Sequence, residues 1–129
     1  MNQMNVSNTI PEPASDEALR HVPRHRVTQA FRWIGDDLFL YAVAKQRKTD
    51  KVYSKSIGRN LALARLRKVA SNYCNAQLAV EVGSTVANFV QVIQYKELKP
   101  MEQLLVRKLV PRDQREQFAP RVPDEALGD

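Results

Sequence analysis

The residues of this chain best able to do chemistry are cations, and they are crowded. Arg20-His21-Val22-Pro23-Arg24-His25-Arg26 is followed by Arg32, by Lys45-Gln46-Arg47-Lys48, by Lys51 and Lys55, and then by Arg59, Arg65, Arg67 and Lys68. The stretch from Arg20 to Lys68 holds 13 basic and three acidic residues, whereas Met1 to Leu19 holds Glu12, Asp16 and Glu17 with no Lys or Arg. Charge so concentrated in a small domain makes a local positive potential that attracts and steers polyanions. Arg and Lys bind nucleic-acid phosphates by releasing counterions, and Trp33, Tyr41 and Tyr53 supply rings on which bases could stack.

Catalytic constellations fit less well. His21 and His25 have the i, i+4 spacing of a helical zinc pair, but Pro23 lies between them and no cysteine or acid pair completes a four-ligand set. The single Cys74 has no histidine near it in sequence to act as its base, and a partly buried structural thiol is expected there. Asp36-Asp37 follows Gly35 between two apolar runs, which is turn chemistry. The four glycines are scattered and form no phosphate loop. Non-catalytic binding is therefore expected, with no metal and no cofactor.

The elements that must position these cations are legible in part. Val27 to Ile34 and Leu38 to Ala44 are rich in aromatic and β-branched residues, and the Gly35-Asp36-Asp37 link marks a hairpin with strands at about 26–34 and 38–47. Alternation sets Phe31 and Trp33 against Arg32 and Ile34, so both faces are partly apolar and at least one needs a helical cover. Ser54 or Ser56 can cap a helix running to about Ala70, with Ala62, Leu66, Val69 and Tyr73 as its buried stripe. Residues 84–96 fit a helical stripe after a Gly83-Ser84 stop and cap, although their composition favours a strand, and a helix is expected. Pro100 opens another helix with Met101, Leu104, Leu105, Lys108 and Leu109 as its stripe.

With 129 residues, 43% of them hydrophobic, the chain suffices for one core. The expected organisation is a disordered tail over 1–19, one α+β domain over 20–118 that starts with a basic arm, and a loose tail over 119–129. Within the domain an antiparallel β-hairpin packs against about three α-helices. No run approaches the roughly 18–20 apolar residues of a membrane span. Met1 to Thr9 has neither the charged start nor the apolar core of a secretory signal, and the lone cysteine suits a reducing compartment, so a cytoplasmic location is expected.

The segment Leu38 to Leu66, with Tyr53-Ser54-Lys55-Ser56-Ile57-Gly58-Arg59 leading into an Ala/Leu-rich helix, resembles segments of small uncharacterised bacteriophage and mobile-element proteins. It spans under a quarter of the chain. The resemblance implies an accessory protein acting on nucleic acid or on a host protein, and carries no functional residues with it.

The leading expectation is a small nucleic-acid-binding protein that holds DNA or RNA through phosphates, with Arg24, Arg26, Arg32, Arg47, Lys48, Arg59, Arg65 and Arg67 as contacts. The alternative is a phage-type module that binds and inhibits a host protein, through the basic face or through an exposed patch at Trp33, Phe31 or Phe89. A homodimer through the unpaired hairpin edges is also open.

Overall fold

The computed structural model describes residues 12–47 and 52–118. In chain order they form strands β1 (Glu17–Val22), β2 (Val27–Gly35) and β3 (Leu38–Lys45), helices α1 (Lys55–Asn72) and α2 (Asn75–Ala79), strands β4 (Thr85–Ala87) and β5 (Val90–Gln94), and helix α3 (Pro100–Arg107). Three 3-10 segments, Pro23–His25, Tyr95–Glu97 and Arg112–Phe118, complete the set. The fold is α+β, with a five-stranded antiparallel sheet in the order β1-β2-β3-β5-β4.

The β2–β3 hairpin forms where composition and turn residues put it. Gly35 and Asp36 take positive φ (114° and 45°), and the Trp33 indole N–H donates to Asp36 O at 2.9 Å. Both hairpin edges are occupied, β1 pairing with β2 and β5 with β3, so the edges on which the dimer expectation rested are closed.

Alternation gives the sheet two apolar faces, and each has its own cover. Ala30, Ile34, Leu40, Ala42, Val90 and Val92 pack against Ala62, Leu63, Leu66 and Val69 of α1 and Leu78 of α2. Phe31, Phe39 and Tyr95 on the opposite face pack against Val106, Val110 and Phe118 from α3 and the segment after it. The Tyr95 hydroxyl donates to Phe118 O at 2.8 Å, and Gln103 donates to Tyr95 O at 3.0 Å, which satisfies these buried polar atoms.

Five expectations need correction. The tail and basic arm give way at Glu17–Val22 to an edge strand, because Glu17, Leu19 and His21 alternate with Ala18, Arg20 and Val22 and the first set faces α1. Residues 84–96 form β4, β5 and the start of a 3-10 segment; their β-branched residues fill the vacant edge of β3 with Leu38 opposite Gln94 and Ala42 opposite Val90. In α3 the buried face is Glu102, Gln103 and Val106, while Met101 is exposed. Cys74 is exposed, and so is Tyr73 just past the end of α1. The tail readings for residues 1–11 and 119–129 lie outside the described residues. Among the described residues no helix is long and apolar enough to cross a membrane, and no group of three or more His, Cys, Asp or Glu could hold a metal ion.

Candidate nucleic-acid interface

Three chain segments carry cations to one end of the sheet. Pro23 starts the 3-10 turn between β1 and β2, and Val22 before it is extended (φ −124°), as the ring of a following proline requires. That turn presents Arg24, which is exposed, and leads to Arg26 in the left-handed region (φ 57°). Arg26 O accepts from Gln46 N at 2.8 Å, and an Arg26 guanidinium N–H donates to Arg47 O at 3.3 Å, which joins the turn to the end of β3. The Gln46 side chain then clasps Ser54, donating to its carbonyl at 2.6 Å and accepting from its amide at 3.0 Å. Ser54 caps α1 by accepting from Ile57 N at 3.2 Å, and Lys55 follows at once.

Arg24, Arg26, Lys45, Arg47 and Lys55 thus share one end of the molecule with the positive end of the α1 dipole, and the first turn of α1 holds no acid. Arg24, Lys45, Arg47 and Lys55 make no ion pair among the described residues. At this end Arg20, His21, Arg24, His25 and Lys99 border an open cleft of about 600 Å³.

His21 reports the local field. Burial pushes its pKa down, and the positive charges of Lys55 and Arg59 push it further the same way. Its Nδ1 lies 2.8 Å from the Tyr53 hydroxyl and 3.1 Å from Thr28 Oγ1, and Tyr53 also donates to Val27 O at 3.1 Å. A folded-state pKa below the ordinary 6.5 means that the unfolded chain binds the proton more readily. Stability is therefore complete above about pH 6.5 and falls as pH drops from there toward the lowered folded value. His21→Gln is expected to flatten that part of a plot of denaturation midpoint against pH; an unchanged slope would show that other groups set it.

The remaining arginines that the sequence suggested as contacts do not join this end. Arg67 donates two bonds to the Glu17 carboxylate, at 2.7 and 3.2 Å, and one to Glu12 O at 2.7 Å. Arg32 lies 3.3 Å from Asp16 and 3.6 Å from Glu17, and Arg59 lies 3.8 Å from Glu12. The acids of the N-terminal segment neutralise one flank of α1. Arg65 is on the other flank, where it donates to Val43 O at 2.6 Å and stacks over the Phe89 ring at 4.4 Å. Lys48 lies outside the described residues.

Sequence reasoning missed two features here. One is the Glu12-Asp16-Glu17 screen, whose signal was the charge of opposite sign immediately before the basic stretch. The other is the setting of Phe89, named as a candidate for an exposed patch but placed on a helix; it is 56% exposed at the tip of the β4–β5 hairpin with φ 64°. A bulky side chain in that backbone region costs on the order of 1–3 kcal/mol. Phe31, by contrast, is fully buried.

Against protein-family models, curated proteins and solved structures the chain has no match. Its class is thus defined by fold and surface alone: an α+β protein with a cationic sheet end and an aromatic hairpin tip beside it.

Proposed function

We propose that this is a non-catalytic nucleic-acid-binding protein that grips the phosphate backbone with the cationic end of its sheet. The observation that carries the reading is the convergence of Arg24, Arg26, Lys45, Arg47 and Lys55 from three chain segments, while the acidic residues of the N-terminal segment are committed to Arg32, Arg59 and Arg67. Phosphate contacts of this kind set affinity and salt dependence without reading sequence.

The test is fluorescence anisotropy with labelled duplex DNA, single-stranded DNA and RNA over a range of salt. Arg24→Ala/Arg47→Ala/Lys55→Ala is expected to weaken binding to every polymer and to lower the salt slope by about 0.7–0.9 for each phosphate contact removed. Arg112→Ala, which removes an exposed cation from the C-terminal 3-10 segment, leaves both unchanged. Absence of binding at low salt would sink the reading.

A second reading, a module that binds a host protein, draws on Tyr73, Val80 and Val82, exposed large apolar residues around α2. It requires that Val80→Asp abolish binding of a defined protein partner and leave nucleic-acid affinity as it was.

A further inference from the structure

We infer that the recess on the sheet side of Phe89 takes one unpaired nucleobase, which makes single-stranded nucleic acid the preferred ligand of the cationic end; the inference rests on the phosphate-binding reading and narrows it to a substrate class.

The Phe89 ring is placed neither for the core nor for the turn. It is 56% exposed, so it adds little to the core. The two-residue link Asn88-Phe89 joins Ala87 to its pairing partner Val90, and a position with positive φ in such a link ordinarily takes Gly or Asn. Strain of this sort, held by the surrounding structure, is found where a side chain has work to do.

The ring is also held as a stacking platform. Val43 N donates to Phe89 O at 3.0 Å and fixes the hairpin tip against β3. Arg65, anchored on the carbonyl of the same Val43, stacks over the ring. On its sheet side Phe89 lines the recess, of about 340 Å³, together with Tyr41, Val43, Thr85 and Gln91. Its volume falls within the roughly 300–1,000 Å³ typical of small-ligand sites. The chemistry suits a base: an aromatic face for stacking, with a hydroxyl and an amide at the rim for the base edge. Gln91 Nε2 reaches Thr85 Oγ1 only at 3.4 Å, a weak bond that a base edge can replace.

The recess also adjoins the cations. Lys45 follows Val43 by two residues on the same strand and the same face, about 7 Å along it. A strand whose phosphates track Lys45 and Arg47 can therefore turn a base onto Phe89. Paired bases in a duplex are stacked on their neighbours and cannot do so without being flipped out.

The experiment compares Phe89→Gly with wild type, measuring anisotropy on labelled oligothymidylate and on a duplex of equal length at one salt concentration. Glycine accepts the backbone angle of this position without strain, so the variant is expected to keep or raise the wild-type denaturation midpoint. Wild type is expected to prefer the single strand, and Phe89→Gly to lose on the order of tenfold in affinity for it with no change on the duplex. Single-strand affinity that stays the same, or falls by the factor seen on the duplex, overturns the inference and leaves the ring to a protein partner. Wild-type binding to neither polymer overturns the phosphate-binding reading itself.

Discussion

Gly58→Ala is expected to destabilise the protein by about 2–3 kcal/mol, although alanine is the better helix former by about 1 kcal/mol. Gly58 lies in the first turns of α1, where the helix packs against Thr28 of β2. A Cβ built there would stand 2.1 Å from Thr28 Oγ1, 3.0 Å from Thr28 Cβ and 3.4 Å from the Tyr53 hydroxyl. Thr28 is fully buried and its hydroxyl is within bonding distance of both His21 and Tyr53, so rotating it away breaks the cluster that holds β1 and the residue before Ser54 to β2. The remaining escape is for α1 to lift, which opens the Ala62, Leu66 and Val69 contacts with the sheet.

A double-mutant cycle separates this clash from a general loss of packing. Thr28→Ala alone should cost about 1 kcal/mol for its hydrogen bonds, yet in the Gly58→Ala background it should restore stability, because it removes the nearest atom. Equilibrium denaturation midpoints give all four corners. Strictly additive costs would show that the two residues do not meet and that the close approach is not what requires glycine.

The Gly58 contact also marks the boundary of what the sequence discloses. Helix α1 and the β2–β3 hairpin were legible because their signals are local: a capping serine, a 3.6-residue stripe, a Gly-Asp turn and alternating aromatics. Residues 84–96 were not, since Val82, Val86, Phe89, Val90 and Ile93 satisfy a helical spacing as well as a strand composition. The choice was made by β3, some 50 residues earlier in the chain, whose open edge pairs with β5. Strand β1 was hidden for a similar reason, because the partner that allows Glu17 to be buried is Arg67, 50 residues away.

The candidate site was legible to the same extent. The sequence located the basic stretch but not its division, because which cations remain for a ligand depends on where Glu12, Asp16 and Glu17 come to rest. Arg24, Arg26 and Arg47 stayed at the cationic end, Arg32, Arg59 and Arg67 met acids, and Arg65 took a carbonyl and a ring. Helical periodicity alone cannot sort these, since the two flanks of α1 carry the same residue types.

Glu17 is the hinge of that division, and its substitution should move stability and binding in opposite directions. Its carboxylate is almost wholly buried and accepts from Ala14 N at 2.9 Å as well as from Arg67. Burial pushes the Glu17 pKa up, but the Arg67 bond, the Ala14 amide and the charges of Arg67 and Arg32 together hold it below the ordinary 4.5. A folded-state value below the unfolded one contributes stability that is complete above about pH 4.5 and is lost as pH falls through the lower folded value. Removing one partner of a buried ion pair costs about 3–5 kcal/mol, and because Arg67 and Arg32 keep roughly a third of their exposure, about 2–3 kcal/mol is expected for Glu17→Gln. The variant should also lose the acid limb of its stability profile. At neutral pH the same change leaves the charge of Arg67 without its carboxylate, while Arg32 keeps Asp16 at 3.3 Å, and this extends the cationic surface along α1. Polyanion affinity should then rise, with a salt slope steeper by about 0.7–0.9 for each new phosphate contact. A Glu17→Gln protein that is less stable and binds no more tightly would show that Arg67 serves the fold alone, and that Glu17 does not bound the binding surface.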